Sequence, residues 1–393
     1  MKMESRMSLP LASSHPAESP QRPTAELLAM RSVHRAVSDL RRGTPVLLRG
    51  PAGTLVAAAA ETVGAEGLRE LRAAAMANPV LLLAPVRAAT VLARPVPLAA
   101  PEEGAVALRL AEAMLQPAHL RGLADPTAET LLPEIPERVA VPALAPQALT
   151  LAKLGRLLPA MVAAPAGDTA GQGLACVTVA EIDAYPPSAA TTLHPVAEAR
   201  VPLEDVPEAR IIAFRAADGG IEHLAILVGD PVAHVAAGGT PLARIHSECF
   251  TGDLLGSLRC DCGPQLRGAL KKMAQHGHGV LLYLAQEGRG IGLVNKLRAY
   301  SLQDAGLDTL DANRALGYGA DERNFLVAAE MLRQLGIDRV RLLTNNPDKL
   351  ASLTACGIEV VGRESHEFEG NGVNDGYLAT KAARFGHMIG ANG

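Results

Sequence analysis

The sequence predicts an α/β protein made of two α/β domains. In both halves of the 393-residue chain, segments with helical periodicity alternate with short apolar runs of strand length. The composition also changes near residue 200, because 22 of the 28 prolines precede it, while four of the five cysteines and seven of the 11 histidines follow it. A chain of this length has room for two or three domains with cores of their own. We therefore expect the chemistry to be concentrated in the second half.

The chain divides into three predicted segments. Residues 1–23 mix serine, proline and histidine without periodicity, which is typical of a disordered tail. Residues 24–195 and residues 196–393 are the two predicted domains. The proline-rich stretch Pro186–Pro195 is predicted to be the linker between them.

The first domain opens with a predicted amphipathic helix, Glu26–Arg41, whose apolar residues recur at helical spacing and which Gly43 can end. A strand over Thr44–Leu48 follows it. The remaining predictions for this half are helices at Ala65–Ala77 and Val106–Leu115, a strand at Val80–Leu83, a loop at Pro133–Pro146 and a turn at Gly167–Gly173.

The second domain shows the same alternation with clearer boundaries. Glycine and proline separate its apolar runs from its periodic segments. The predicted strands are Ile221–Val228, Gly279–Ala285, Arg339–Thr344 and Ile358–Val361, and the predicted helices are Pro264–Gln275, Gly292–Gln303, Asp321–Leu335 and Pro347–Ala355.

Charge and composition exclude several classes of protein. The net charge is −4, aromatic residues make up 3% of the chain and tryptophan is absent, which disfavours a nucleic-acid-binding protein. The most apolar run, Val80–Ala84, has the length of a strand and is flanked by prolines, so no membrane span is predicted. The N-terminus has no apolar core of a signal peptide, and five cysteines do not form a disulfide scaffold. We expect a cytoplasmic protein.

Three cysteines form the strongest chemical signal. Cys249, Cys260 and Cys262 follow the spacing C-x10-C-x-C. Catalytic zinc usually takes three protein ligands and keeps one position open for water, so this set favours a catalytic zinc site. A C-x-C redox pair and buried inert thiols are the alternatives. The charged residues Asp253 and Arg259 nearby are unusual for a core strand and favour the metal.

Nucleobase deaminases are one zinc class that can be compared directly. They carry H-x-E followed by P-C-x-x-C. The chain has His246-Ser247-Glu248, but a single residue separates Cys260 from Cys262 and Pro264 follows them. The match to a deaminase is therefore incomplete.

A longer series of motifs runs through the second half in a fixed order. Its members are Arg244–Cys249, Ser257–Gly263, Gln286–Leu293, Asn295-Lys296, Arg298–Tyr300, Ala320–Arg323 and Leu343–Pro347. This series resembles the GTP cyclohydrolase II family over residues 201–390, about half of the chain. Several long motifs in one order are far more specific than a single glycine-rich stretch.

The resemblance implies the fold of that family for residues 196–393 and a reaction that opens the imidazole ring of GTP. The products would be 2,5-diamino-6-(5-phosphoribosylamino)pyrimidin-4(3H)-one, formate and pyrophosphate, at the start of riboflavin synthesis. It also implies one Zn²⁺ per chain on Cys249, Cys260 and Cys262, which would activate water for the attack. Mg²⁺ is expected as well, because pyrophosphate release usually needs its charge.

The resemblance also implies a set of GTP contacts. Arginine gives bidentate contacts to phosphate and lysine supplies a point charge. The matching positions are Arg244, Ile245, His246, Ser247, Glu248, Gln265, Glu287, Gly288, Arg289, Thr309, Thr344 and Lys349. Taken singly, the arginines are more often surface residues, Thr344 could be a helix cap and the glycines could form only a turn.

Three further residues match catalytic positions of the family. Asp321 matches its proton acceptor, Arg323 its proposed nucleophile toward the α-phosphate, and Tyr300 a tyrosine associated with complete turnover. Because arginine is nearly always protonated, electrostatic stabilisation is the better physical assignment for Arg323. Asp321 could instead be the N-cap of the helix that follows it.

The first half faintly resembles 3,4-dihydroxy-2-butanone 4-phosphate synthase over residues 27–165. Ala36–Val46 matches the opening helix and strand of that enzyme. The acidic run expected next is replaced by Arg49–Thr54, with no carboxylate before Glu61, and Pro146–Thr150 lacks the expected histidine and glutamate. Because Mg²⁺ needs oxygen ligands, we predict a degenerate domain without synthase activity. An unrelated α/β domain is the alternative.

Two other functions stay open at this point. A bifunctional riboflavin enzyme would need the missing acidic run, and a non-catalytic zinc and nucleotide-binding regulator would have no need of Asp321, Arg323 and Tyr300. We expect GTP as the small-molecule substrate, a homodimer, and no nucleic-acid or membrane partner. Every residue named for catalysis follows position 240, so a chain that starts near Ala197 is expected to hydrolyse GTP if it stays soluble.

Overall fold

The computed structural model describes residues 23–93, 104–128, 134–167, 171, 173–368, 370–375, 380 and 384. The predicted tail over residues 1–23 lies outside these residues except for Pro23. Two seven-stranded mixed sheets, each covered by helices, make up the described chain. This arrangement confirms the predicted α/β class.

The first half contains the first sheet and six helices among its described residues. In chain order these elements are α1 (Ala25–Arg41), β1 (Val46–Gly50), β2 (Gly53–Ala59), α2 (Ala65–Ala74), β3 (Val80–Leu83), α3 (Pro85–Val91), β4 (Val106–Arg109), α4 (Pro117–Ala124), β5 (Glu137–Val139), α5 (Ala145–Leu154), β6 (Ala160–Ala166), β7 (Cys176–Thr178) and α6 (Val179–Thr191). A short 3-10 turn, Glu112–Met114, follows β4.

The second half contains the second sheet and six further helices within the described part of the chain. These elements are β8 (His194–Arg200), β9 (Arg210–Arg215), β10 (His223–Val228), α7 (Pro231–Ala236), β11 (Leu242–Ser247), α8 (Cys262–His276), β12 (Gly279–Leu284), α9 (Leu293–Asp304), α10 (Thr309–Ala315), α11 (Leu326–Gln334), β13 (Arg339–Leu343), α12 (Pro347–Ala355) and β14 (Glu359–Glu364).

The first sheet has the strand order β5-β4-β3-β6-β2-β1-β7, and its pairs are antiparallel except for β1 with β7. Its central strands are buried on both faces, which is why they read in the sequence as continuous apolar runs. Helices α1, α5 and α6 cover one face. The other face packs against α2 and α4, and also against residues of the second half.

The second sheet has the order β14-β13-β11-β12-β10-β9-β8. Strands β12, β11, β13 and β14 are mutually parallel, so β11, β12 and β13 end at the same edge of the sheet. The loops that leave this edge begin at Glu248, Ala285 and Thr344. Ligands of α/β proteins bind at the carboxyl ends of parallel strands, and these loops carry the predicted site residues Glu248, Cys249, Cys260, Glu287, Gly288, Arg289 and Thr344.

The two halves share one hydrophobic core. Apolar side chains of α9, α10 and the adjoining turns enter the cluster formed by the first sheet, and these residues are Ile291, Ala299, Leu302, Ala312, Leu316 and Tyr318. Each is less than 9% exposed. The elements that follow the glycine-rich stretch are therefore packed on the N-terminal half.

Three predictions in the first half are wrong, one of them because the predicted loop Pro133–Pro146 contains strand β5 and the start of α5. Val106–Leu115 is not a helix but strand β4 followed by a 3-10 turn, because a short run buried on both faces fits either structure in the sequence. The predicted linker Pro186–Pro195 lies largely in helix α6, which contains Pro186 and Pro187. A capping box between Thr178 and Glu181 begins that helix, and packing against α1 and α11 maintains it despite the two prolines.

Other element predictions are confirmed, some with shifted boundaries. Helix α12 has the predicted bounds, and α1, α8, α9 and β12 lie within two residues of theirs. The predicted helix Asp321–Leu335 begins only at Leu326, with Phe325 as its N-cap. No helix among the described residues is long and apolar enough to cross a membrane.

Candidate active site

A cleft lies at the carboxyl edge of β11, β12 and β13. It encloses about 1030 Å³ of space, its open mouth included. The predicted site residues that line it are Arg244, His246, Ser247, Glu248, Cys249, Cys260, Cys262, Gln265, Glu287, Gly288, Arg289, Tyr300, Thr309, Arg323 and Lys349. The structure thus brings together residues that are spread over about a hundred positions of the sequence.

The three predicted metal ligands form one cluster. Their Sγ atoms lie within 4.8 Å of one another, and the Sγ atoms of Cys249 and Cys260 are 3.7 Å apart. Two thiolates on a tetrahedral zinc with Zn–S bonds of 2.3 Å would be separated by about 3.8 Å. Cys249 and Cys260 are buried and Cys262 begins helix α8, so the cluster can hold a metal ion.

The fold positions Cys249 through the carboxylate of Asp253. A π-helical turn, Phe250–Leu254, brings this carboxylate back to the Cys249 backbone N–H, which donates to it at 2.9 Å. The Tyr283 hydroxyl donates to the same carboxylate at 3.0 Å, and His246 Nε2 lies 3.1 Å from it. Burial lowers the pKa of His246.

Lys296 joins the cysteine cluster to the predicted GTP contacts. Its Nζ donates to Cys249 Sγ at 3.0 Å and to Glu287 Oε1 at 2.7 Å. Burial opposes the charged lysine, but the neighbouring Cys249 and Glu287 outweigh it and raise the pKa of Lys296. Hydrogen bonds from Cys260 and Cys262, together with Lys296, hold the pKa of Cys249 far below its ordinary value. A thiolate is the form that binds a metal.

Cationic side chains line the same cleft. Arg244 on β11 is 5% exposed and donates to the Leu343 carbonyl at 3.2 Å and to the Gln265 side chain. Burial lowers the pKa of Arg244 to about 10, so it stays charged at neutral pH. Lys349 on α12 donates to the Ile245 carbonyl at 2.7 Å. These fixed charges suit an anionic ligand.

Arg323 reaches the cleft, but Asp321 does not line it. The Arg323 guanidinium forms a bidentate ion pair with Asp321, and its Nη1 lies 3.4 Å from Ser247 Oγ. Burial would raise the pKa of Asp321, but the hydrogen bonds and charge of Arg323 prevail and lower it. Asp321 is not the N-cap of α11, which begins five residues later. In this structure Asp321 orients Arg323.

Tyr300 lies on α9, beside the cysteine cluster. Its hydroxyl is 3.4 Å from Thr251 Oγ1, and the Arg259 guanidinium stacks over its ring at 4.9 Å from the centroid. At the first turn of α10, Thr309 accepts a hydrogen bond from Gln303 at 3.2 Å. Helices α9 and α10 thus supply one wall of the cleft.

Two other predicted GTP contacts lie outside the cleft lining. Ile245 is 1% exposed, with its side chain in the core of the second sheet. Its carbonyl, rather than its side chain, contacts the site by holding Lys349. Thr344 is buried, and its hydroxyl accepts a hydrogen bond from the Asn346 N–H at 3.1 Å. Asn346, not Thr344, is the N-cap of α12.

The glycine-rich stretch is a tight turn with an unusual backbone. Gly288, Arg289 and Gly290 all have positive φ, which is uncommon for arginine. A Cβ atom at Gly290 would lie 2.9 Å from the Glu322 carbonyl oxygen, so a larger residue would displace the segment that leads to Arg323. The turn brings Glu287 and Arg289 to the cleft.

Comparison with known proteins settles the family. A model of GTP cyclohydrolase II matches residues 194–365. A protein of Azospirillum brasilense named GTP cyclohydrolase-2 is 51% identical over 376 residues, which cover 92% of this chain and 94% of the relative. The chain belongs to the GTP cyclohydrolase II family. It is therefore an enzyme, and the relative shares both halves of its sequence.

Other comparisons with GTP cyclohydrolase II proteins and with solved structures differ in coverage. A GTP cyclohydrolase-2 of Actinobacillus succinogenes is 52% identical over 194 residues, which cover 49% of this chain and 87% of the relative. A two-domain 3,4-dihydroxy-2-butanone 4-phosphate synthase of A. baumannii is 19% identical, covers 86% of this chain and 99% of its own, and superposes with a TM-score of 0.31. That score is too low to establish a shared fold, so the origin of the first half stays a prediction.

The structure brings three further residues to the site of this GTP cyclohydrolase II family member, and none of them was predicted as a site residue from the sequence. Lys296 and Arg259 line the cleft, and Asp253 accepts three hydrogen bonds beside it. Lys296 and Arg259 stood inside the quoted motifs, and Asp253 was noted as a charge near the cysteines. Their roles depend on contacts across the fold, which the spacing of residues in the sequence does not show.

Proposed function

We propose that the chain hydrolyses GTP to 2,5-diamino-6-(5-phosphoribosylamino)pyrimidin-4(3H)-one, formate and pyrophosphate, the first step of riboflavin synthesis. The observation that carries this proposal is the juxtaposition of two groups in one cleft. Three thiols spaced for a metal line the cleft, and so do Arg244, Arg289, Arg323 and Lys349. A ring-opening hydrolysis of a nucleoside triphosphate needs both.

Zinc is the metal that we propose for the cysteine cluster, one ion per chain. Three thiolates favour zinc over the oxygen-seeking Mg²⁺ and Ca²⁺, and the 3.7 Å separation between two of them suits tetrahedral zinc. In a site with three protein ligands, zinc lowers the pKa of a bound water to about 7. The Lys296 ammonium offsets part of the negative charge of the thiolates, and the Asp253 carboxylate fixes the Cys249 backbone.

We propose that the cationic side chains of the cleft hold the triphosphate. Arg244 is held by Leu343 and Gln265, and Arg323 by Asp321, so their guanidinium groups are fixed before the ligand arrives. Fixed donors stabilise developing charge without reorganisation. Arg323 therefore stabilises the α-phosphate electrostatically, while Asp321 orients it. Mg²⁺ would accompany the released pyrophosphate.

The first half does not provide a second activity in this proposal. Glu61 is the first carboxylate after β1, and both of its oxygens already have partners: Oε1 accepts from Arg298 at 2.9 Å and Oε2 from the Leu158 N–H at 2.8 Å. It is thus committed to contacts within the protein. This supports a degenerate synthase-like domain that forms no dihydroxybutanone phosphate.

We also propose a homodimer and a cytoplasmic location. Strand β8 is an edge strand of the second sheet, all seven of its residues are exposed, and an exposed edge can pair with a second copy. The five free cysteines fit a reducing compartment. Light scattering after size-exclusion chromatography measures the oligomeric state directly.

The test is to incubate the purified, zinc-loaded protein with GTP and Mg²⁺ and to identify the products by mass spectrometry. We expect the diaminopyrimidine, formate and pyrophosphate in equal amounts. A second incubation with ribulose 5-phosphate is expected to give no dihydroxybutanone phosphate. GTP that remains intact would contradict the proposal, and synthase product would show a bifunctional enzyme.

A further inference from the structure

Arg156, in the first half, has a backbone conformation that favours glycine. It follows Gly155 at the end of α5 with φ of +55°, in the left-handed region. Helices commonly end with glycine at this position because a Cβ atom is strained there. Non-glycine residues keep such a conformation where the surroundings impose it, and these places are often functional.

The Arg156 side chain crosses to the second half and binds the start of the glycine-rich turn. Its Nη2 donates to the Ala285 carbonyl at 2.5 Å, at the end of β12. The Ala285 N–H donates to His223 Nδ1 at 3.1 Å, so both backbone polar groups of Ala285 are held. Ala285 stands two residues before Glu287. These two bonds therefore hold the backbone just before Glu287, whose carboxylate also contacts Lys296 and the Phe250 N–H.

The far end of the same turn also contacts Arg156. A Cβ atom at Gly292 would lie 3.0 Å from Arg156 Cδ and 3.1 Å from its Cβ, so the glycine leaves room for this side chain. The Arg156 carbonyl accepts a hydrogen bond from Asn295 Nδ2 at 2.9 Å. One residue of the first half thus contacts both ends of the turn and the first residues of α9.

Buried ion pairs hold the first half against α9 nearby. Arg298 pairs with Glu61 at 2.9 Å and with Asp125 at 2.7 Å, and all three side chains are less than 20% exposed. Arg298 Nη1 also donates to Asn295 Oδ1 at 2.8 Å. This network fixes the helix that carries Lys296 and Tyr300. Arg156 thus lies near contacts that already join the two halves.

We propose that Arg156 of the N-terminal half is a positioning residue of the GTP site, which holds the Ala285–Gly292 turn so that Glu287 and Arg289 face the cleft. Arg156 is not one of the residues that line the cleft, and it acts through the turn. The inference rests on the proposed function, since its consequence is measured on GTP turnover. It gives the degenerate half a role that the sequence alone did not predict.

The test uses the full-length protein and separates backbone strain from the side chain. Arg156→Gly removes the strain and the side chain together, so the relief of strain offsets part of the lost hydrogen bond and we expect a melting temperature close to that of the wild type. We expect its kcat for formate release to fall about 10- to 100-fold, because small displacements of reacting groups cost that much. Arg156→Lys keeps one donor and is expected to recover most of the kcat. The control is Arg109→Ala, which breaks an exposed ion pair with Glu137 in the same half.

The possible outcomes are distinct. A lower kcat in a protein whose stability stays close to that of the wild type, with recovery in Arg156→Lys and wild-type behaviour in Arg109→Ala, supports the inference. An Arg156→Gly variant with wild-type kcat and KM overturns it, and so does a variant whose activity falls only in proportion to its folded fraction. A wild-type protein that releases no formate contradicts the proposed function itself, and the inference falls with it.

Discussion

Lys296 shows how one side chain can serve two parts of the site. Its ammonium bridges a proposed metal ligand, Cys249, and a predicted GTP contact, Glu287. Glu287 in turn accepts a hydrogen bond from the Phe250 N–H at 2.6 Å, next to Cys249. Short hydrogen bonds therefore connect the cysteine cluster to the glycine-rich turn. Single substitutions at this scale should separate metal binding from phosphate chemistry.

Cys260→Ser is expected to lose the zinc and all release of formate while the protein remains folded. The thiol is one of the three proposed ligands, and a zinc ion held there would supply the activated water that opens the ring. Zinc content by elemental analysis and formate release measure the two effects. Cys356→Ser is the control, because this half-buried thiol lies outside the cluster. A Cys260→Ser protein with stoichiometric zinc and unchanged turnover would refute the assignment.

Arg323→Ala is expected to lose the release of pyrophosphate, because the guanidinium that Asp321 orients would no longer stabilise the phosphate. A zinc-free wild-type protein is expected to keep slow pyrophosphate release from GTP, which gives GMP. Enzyme-coupled detection of pyrophosphate measures both. Arg215→Ala, which removes an exposed ion pair with Glu222, should behave as wild type. Wild-type pyrophosphate release by the Arg323→Ala protein would show that Arg323 is misassigned.

At the scale of elements, three parallel strands produce the site. Strands β11, β12 and β13 end at one edge, so the loops after them meet although they are far apart in the sequence. The apolar runs of β12 and β13 predicted these strands correctly. The sequence did not predict α6, because its N-terminal cap and its packing overcome the effect of the two prolines. It did not predict β4 either, because an apolar run that is buried on both faces fits a helix as well as a strand. It also could not show that Asp321 points to Arg323 instead of capping α11.

His223 on β10 is expected to make stability depend on pH. Its Nδ1 accepts a hydrogen bond from Ala285 N–H, and burial together with Arg156 lowers the pKa of His223 to about 4. In the unfolded chain the pKa is about 6.5, so protons bind the unfolded state first as the pH falls. Above pH 6.5 His223 does not make the free energy of unfolding depend on pH. Between pH 6.5 and about 4 the native state should lose up to about 3 kcal/mol, at 1.36 kcal/mol per pKa unit.

The measurement is urea unfolding of the wild type and of His223→Asn at pH 7.5 and pH 5.0. Asparagine offers an oxygen acceptor to the Ala285 N–H and does not titrate in this range. We expect the wild type to lose about 2 kcal/mol more than the variant between the two pH values. His194→Asn, at an exposed position on β8, should follow the wild type. Equal losses in the wild type and in His223→Asn would contradict the pKa shift of His223.

At the scale of the whole molecule, the two halves are joined by more than a linker. The sequence predicts that a chain starting near Ala197 hydrolyses GTP if it stays soluble, because the named catalytic residues all follow position 240. The structure leads to a different expectation, since α9 and α10 pack into the core of the first sheet. Composition and motifs separate the halves in the sequence, but they do not show which surfaces are shared.

A chain that starts at Ala197 is therefore expected to have at least about 10-fold lower turnover than the full-length protein, even in its soluble fraction. It would lose the Arg156 contact and the partners of Arg298, and it would expose apolar side chains that promote aggregation. Turnover per bound zinc, measured on the soluble fraction, corrects for loss of metal. Full turnover in a soluble, zinc-loaded truncated chain would show that the first half is dispensable.

We propose above all that a metal ion bound by the cysteine cluster is required for the hydrolysis of GTP. The most direct measurement is to remove the metal from the full-length protein, add zinc back in steps and follow formate release from GTP at each step. We expect formate release to rise linearly with zinc and to level off at one zinc per chain, and we expect no rise with Cys260→Ser. Formate release that is already complete in the metal-free protein, or that does not change as zinc is added, would contradict the account.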